Sequence, residues 1–192
     1  PGNYQVVLHV DGKSYRAPLL VALDPREQVS QDELAAGLTY SRNIAALLQR
    51  VWQGYGEVEA VRDQLEALDH KLGKSAAYKA LLDSADSLHS KTTPLVEGAG
   101  ETSLNLHAIS DALAAIATDV EGADHAPTDG QQQALAHYQA SVDQAFAQWN
   151  AMRTTDLAKL NKQLHEAGIT AVSVPGDHAT GPGRTLQNGQ AD

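Results

Sequence analysis

Between Ser30 and Gly73 the apolar residues Leu34, Leu38, Ile44, Leu48, Val51, Tyr55, Val58, Leu65, Leu68 and Leu72 recur mostly at steps of three and four. That spacing places side chains on one helical face and predicts a single long amphipathic helix. Ser30 followed by Glu33 is a capping-box signature at its start, and Gly73 suits the left-handed residue that ends a helix. Such a helix spans roughly 63 Å at 1.5 Å per residue, so other helices are expected to lie along it. Gly54-Tyr55-Gly56 interrupts its interior and predicts a bend or a close helix contact, since each Gly weakens a helix by about 1 kcal/mol relative to Ala. Those three residues are too few to make a phosphate loop.

Shorter helices follow. Ser75 is placed to cap a second helix reaching about Lys91, with Tyr78, Leu81, Leu82, Ala85 and Leu88 on its stripe and Pro94, Gly98 and Gly100 in the loop beyond. A third helix is expected from about Ser103 to Val120, with Leu106, Ile109, Leu113, Ile116 and Val120 on one seam. Gly122 to Pro127 forms the next loop. Thr128 and Gln131 predict a capping box for a fourth helix, whose seam is Leu135, Tyr138, Val142, Ala145, Trp149 and Met152. Thr154 or Thr155 is expected to interrupt it and cap a short last helix, Asp156 to Ala167, ending at Gly168. The tail from Val174 on has no periodicity and reads as disordered.

Ahead of the helices the period changes from three-and-four to two. Tyr4, Val6, Leu8 and Val10 alternate with Gln5, Val7 and His9, the pattern of a β-strand. Asp11-Gly12 is a hairpin turn signal. Tyr15, Ala17, Leu19, Val21 and Leu23 form one face of a second strand, and Asp24-Pro25 ends it. Pro18 cannot donate a ladder hydrogen bond, which predicts an edge position or a bulge. A lone hairpin is marginal in water, so these strands are expected to need a sheet around them. Pro1-Gly2 leading to Tyr4 at a strand entrance is similar to the tyrosine corner of immunoglobulin-like sandwiches. The hairpin is therefore expected to be the last two strands of a truncated sandwich, and the chain a fragment of something longer; a hairpin that merely caps the bundle is the alternative.

Composition narrows the chemistry. The chain has 192 residues, a formal net charge of −10, no cysteine and few aromatic residues. The acidic balance disfavours nucleic acid and anionic membrane as partners. Without cysteine there is no disulfide framework and no thiolate metal site. No apolar run reaches the ~18 residues of a membrane span. The histidines, His9, His70, His89, His107, His125, His137, His165 and His178, include no pair four apart. No Glu-x-x-His falls on the predicted helices, so no metal site is expected. Glu57, Glu59, Asp63 and Glu66 are expected to form a solvated face rather than an acid/base pair. No nucleophile elbow and no Gly-rich phosphate loop occurs. No catalytic, cofactor-binding or metal-binding residue is therefore assigned, and Trp52, Tyr55, Tyr138, Phe146 and Trp149 are expected in the core. A small-ligand site near Trp52, Tyr138 and Trp149 is a further reading of the same aromatic residues.

The stretch PGNYQVVLHVDGKSYRAPLLVALDPR, Pro1 to Arg26, resembles the segment that closes the immunoglobulin-like region in large bacterial proteins built on BNR/Asp-box β-propellers, described as sialidase-like or sortilin-like glycosyl hydrolases. Ala126-Pro127-Thr128 before a helix, Trp149, and the run from Asp156 to Ile169 are also similar to the helical region that follows there. The resemblance covers about residues 1 to 170 and is strongest in the first 26. The family's propeller motif, Ser-x-Asp-x-Gly-x-Thr-Trp, is absent, so no catalytic residue carries over. The resemblance implies an exported parent (periplasmic, envelope-associated or secreted) and an accessory role beside the propeller.

The expected architecture is mainly α: an antiparallel helical bundle of three long helices plus shorter ones, preceded by a β-hairpin. Residues 1–25 form the hairpin of the truncated sandwich, 26–169 the bundle and 170–192 a disordered tail. The expected function is a non-catalytic accessory or interaction module, with the parent's own propeller and sandwich, another protein or a second copy as partner and no cofactor. The alternative is that the chain is part of a glycoside hydrolase whose active site lies in the propeller.

Overall fold

A computed structural model describes residues 1–26, 28–73, 75–98, 105–122 and 124–176. Two strands, β1 (Gly2–Val10) and β2 (Lys13–Val21), pair antiparallel in unbroken register from Gly2↔Val21 to Val10↔Lys13. Asp11 and Gly12 have φ of 49° and 75°, the two positive values a two-residue type I′ turn requires. Counting from that turn, Val10↔Lys13 is a hydrogen-bonded pair, and bonded and non-bonded pairs then alternate. Gln5↔Pro18 falls on a non-bonded pair. Pro18 therefore directs its nitrogen to the outer edge, so no bulge is needed. β2 stops at Val21 rather than at the expected Leu23, because β1 offers no partner beyond Gly2. Among the described residues these two strands are the whole sheet.

The helices are α1 (Gln31–Leu72), α2 (Lys79–Val96), α3 (Leu106–Glu121), α4 (Asp129–Met152) and α5 (Ala158–Glu166). They make a three-layer bundle running up, down and up. α1 is the first layer. α2 and α3 descend along its second and first halves. α4 and α5 climb beside α1 in the same direction. The direction is fixed by successive cross-links: Tyr40 to Gln131, Arg50 to Asp143, and Glu57 to Trp149. Two cores result. Tyr40, Ile44, Leu47 and Val51 meet Leu106, Ile109, Leu113 and Val142 in one. Val58, Val61, Leu65 and Leu68 meet Leu81, Leu88, Leu160 and Leu164 in the other.

Both expected capping boxes form. Ser30 Oγ accepts the Glu33 amide at 3.2 Å while Glu33 Oε2 accepts from the Ser30 amide at 2.8 Å. Thr128 and Gln131 do the same at 3.2 and 2.8 Å. The glycines of α1 produce a close contact: Gly54 is buried, and a Cβ there would lie 2.5 Å from Phe146 Cζ. Gly56 faces open space.

Several expectations are corrected. Ser75 makes no side-chain cap; a short 3₁₀ turn, Ala76–Tyr78, leads into α2 instead. α2 continues past Lys91 to Val96 with Pro94 inside it. Pro94 is exposed, while the seam runs on through Leu88, Thr92 and Leu95 against α1. Tertiary packing overrides the helix-breaking tendency there. Arg62, buried on α1, donates to the Thr92 hydroxyl at 3.3 Å, the Thr93 hydroxyl at 3.1 Å and the His89 carbonyl at 3.4 Å, and pairs with Glu97. α3 begins at Leu106, capped by Asn105, whose Oδ1 accepts the Ala108 amide at 2.7 Å; Gly100 and Ser103 lie outside the described residues.

Between α4 and α5 there is no interruption. A π turn, Arg153–Leu157, makes one continuous helical rod. Thr154 and Thr155 donate back to carbonyls of the preceding turn, Asn150 at 2.9 Å and Ala151 at 2.6 Å, rather than capping a new helix. The packed chain also extends beyond the expected boundary at 169. Val172 and Val174 are buried in the second core, so the first part of the expected tail is structured. Residues 177–192 lie outside the described residues.

Candidate functional site

The hairpin has two unlike faces. Cross-strand partners share a face, so the register groups Tyr4 with Leu19, Val6 with Ala17, Leu8 with Tyr15, and Val21 with Gly2. That face is apolar except for Lys13 beside Val10. The other face carries Asn3, Gln5, His9, Ser14 and Arg16, together with Val7, Pro18 and Leu20. Its polar groups satisfy one another: Ser14 Oγ lies 2.8 Å from His9 Nδ1, and Arg16 donates to Gln5 Oε1 at 3.2 Å. The apolar face meets water. Tyr4 is 56% exposed, Leu8 57% and Tyr15 57%, and no residue from Asn3 to Val21 is buried. Contiguous apolar faces of this kind are rare on monomeric soluble proteins.

The second feature lies where the π turn crosses α1. Glu57, expected on a solvated face, is buried. Its Oε2 accepts the Trp149 indole N–H at 3.0 Å and an Arg153 N–H at 3.3 Å, and its Oε1 accepts from Gln53 at 3.2 Å. The π turn makes this possible. Seam positions Met152 and Leu157 are five apart, a step that would swing an α-helix away from α1. The i→i+5 turn absorbs the extra residue, and Leu157, Leu160 and Leu164 return to the core. Three donors around one carboxylate are a structural tie.

The third feature is a strap. After α5, Gly168 at φ 68° turns the chain, and its amide donates to His165 O while that of Ile169 donates to Leu164 O. The chain then runs extended between α1 and α5. Asn161 of α5 binds Val172 through both main-chain groups, accepting its N–H at 2.8 Å and donating to its C=O at 2.9 Å. Gln64 of α1 binds Ser173 in the same manner at 2.9 and 2.8 Å, and accepts the Ser173 hydroxyl at 3.3 Å. The strap is one wall of an open groove of about 850 Å³ whose other wall is the π turn.

The remaining aromatic residues do not assemble a ligand pocket as a group. Trp149 is 2% exposed and spent on Glu57, whereas Trp52, expected in the core, is 54% exposed with its ring edge-on to Tyr55 at 6.0 Å. Phe146 packs on Gly54 beneath the Arg50 guanidinium, 4.6 Å from its ring centre. Arg50 in turn binds Asp143 at 2.5 Å and, with Gln139, holds that carboxyl below the usual range. Among the described residues no group of three or more His, Asp or Glu is disposed to hold a metal ion, and no helix is long and apolar enough to cross a membrane. Compared with known proteins, the chain finds no matching family model, no matching curated protein and no matching solved structure.

Proposed function

We propose that this chain is a non-catalytic accessory and interaction module of a larger exported β-propeller protein, in which the hairpin completes a β-sandwich and the bundle packs on the parent or on a protein partner. The observation that carries the reading is the exposed apolar face of the hairpin, from Tyr4 to Val10 on β1 and from Tyr15 to Val21 on β2. Burying it is worth roughly 25 cal/mol per Å², a driving force for docking that the bundle does not use.

Geometry favours one kind of partner. A hairpin leaves two things unsatisfied, an apolar face and an outward row of amide and carbonyl groups on each strand. Antiparallel pairing of two copies through β1 satisfies the edge but doubles the apolar face, all of it on one side. Face-to-face stacking of two hairpins covers the face and leaves the edges. A sandwich with a free edge strand and an opposed sheet satisfies both at once.

The coding sequence immediately upstream of the Pro1 codon in the source DNA tests the reading. Further strands together with repeated Ser-x-Asp-x-Gly-x-Thr-Trp motifs are the expected result. A start codon or an export signal alone would overturn it and leave the hairpin as a cap on a free-standing bundle.

A further inference from the structure

We propose that the cleft between α1 and α5 is a binding site for an extended peptide, and that Thr170–Val174 is its resident ligand, docked in cis. The contacts have the form of peptide recognition rather than of a loop laid on a surface. In an extended chain successive residues turn their main-chain groups to opposite sides. Here Val172 is read on one side by Asn161 and Ser173 on the other by Gln64, each through both N–H and C=O. Two side-chain amides thus stand in for the neighbouring strands of a sheet. Specificity comes from alternate positions, with Val172 and Val174 both buried and the residue between them half-exposed. Main-chain bonds for affinity and alternate side chains for selection are how strand-like peptides are recognised.

Both receptor amides are carried by helices that precede the strap in the chain. Gln64 Nε2 also donates to Ala60 O at 2.7 Å, which orients the amide from within α1. Asn161 is carried by α5, ahead of the glycine turn. The ligand is set off at both ends by glycines with positive φ, 68° at Gly168 and 90° at Gly176, so it leaves the helix abruptly and has backbone conformations of its own. The ligand class is an extended, uncharged segment with β-branched residues two apart and a small polar residue between them. A cis segment on a short tether has an effective concentration on the order of millimolar, which excludes free peptide from the site.

The full chain tests this with a fluorescent peptide of sequence GITAVSVPG, the stretch from Gly168 to Gly176. Val172→Asp with Val174→Asp removes the resident ligand and leaves the receptor intact. That variant is expected to keep its helical circular dichroism and to bind the peptide at least about tenfold more tightly than the unsubstituted chain, the margin set by the loss of cis competition. Gln64→Ala with Asn161→Ala in the same background is expected to abolish binding. A folded strap variant that binds no peptide, or binding that survives loss of both amides, would overturn the proposal. Should the strap variant fail to fold, hydrogen exchange on the unsubstituted chain decides. A resident ligand opens locally, so the Val172 and Ser173 amides must exchange faster than those of Val58 to Leu65; exchange no faster than these refutes the proposal and makes the strap a fixed part of the core.

Discussion

The hairpin and the bundle carry equally regular patterns, yet they end in opposite environments. In the bundle the stripes find their cover within the chain, except at Leu38 of α1, which is 52% exposed: Ile44 and Val51 face Ile109, Leu113 and Val142, and Val61 and Leu65 face Leu88 and Leu160. In the hairpin the row Tyr4, Val6, Leu8 and Val10 lies beside Leu19, Ala17 and Tyr15 and then meets water. Period identifies which side of an element wants burial. It does not identify what buries it. A covered face is therefore information about the fold, whereas the hairpin's face carries a pattern that the fold does not use.

The sharpest way to break this comparison is to place the same charge on both faces. Leu113→Asp or Val142→Asp puts a carboxylate at a fully buried position. An unpaired buried charge costs several kcal/mol against a total stability of about 5–15, so the bundle should unfold. Val6→Asp or Leu8→Asp should leave the helical melt within about 0.5 kcal/mol of the parent chain. A circular dichroism melt that ranks the four otherwise would mean that the helical faces, or the independence of the hairpin, are wrongly assigned.

How much of this was readable beforehand depends on which signal each residue carries. The elements themselves were legible, because apolar letters repeat at two or at three and four. The continuous α4–α5 rod was written in the spacing as well: seam steps from Leu135 run three, four, three, four, three, then five between Met152 and Leu157. The five reads as a break because Thr154 and Thr155 are common caps, although a step of five is what a π turn accommodates. The last turn of α2 was hidden by Pro94 and by Thr92, a polar letter on a buried seam. Glu57 and Arg62 were hidden for the same reason, since charge is read as exposure until a partner 92 or 30 positions away is known. The strap was least legible. Two valines at alternate positions are too short a run to read as a strand, and their burial depends on amides supplied by Gln64 and Asn161.

The Glu57 tie gives the next effect. Trp149→Phe keeps the ring in the core but removes the indole N–H from a buried carboxylate oxygen. Loss of one partner from a buried, charged hydrogen bond should lower stability by about 1–3 kcal/mol, read as a shift in denaturant midpoint. An unchanged midpoint would show that Arg153 and Gln53 suffice. No matching loss is expected from Trp52→Phe, because that side chain is exposed.

Gly54 and Gly56 restage the covered and uncovered faces two residues apart on one helix. Gly54→Ala adds a methyl that meets the Phe146 ring at 2.5 Å, and overpacking of this kind costs about 1–3 kcal/mol, more than the gain in helix propensity. Gly56→Ala adds the same methyl in open space and should stabilise by about 1 kcal/mol. Opposite signs in thermal melts confirm the close approach of α4 to α1; the same sign for both contradicts it.

The smallest effect is a pH dependence confined to the covered side. Burial pushes the Tyr40 phenol up from its ordinary value, and its hydroxyl donates to Gln131 O at 2.5 Å, at the entry to α4. A folded pKa above the unfolded value of about 10 means that the fold retains the proton longer than the unfolded chain does. The contribution is whole below that value and is lost as pH rises through the folded pKa. Unfolding free energy should therefore fall over this alkaline window, and it should fall less in Tyr40→Phe, which cannot ionise there. Parallel alkaline slopes for the two proteins would place Tyr40 in water and detach α4 from the first turns of α1.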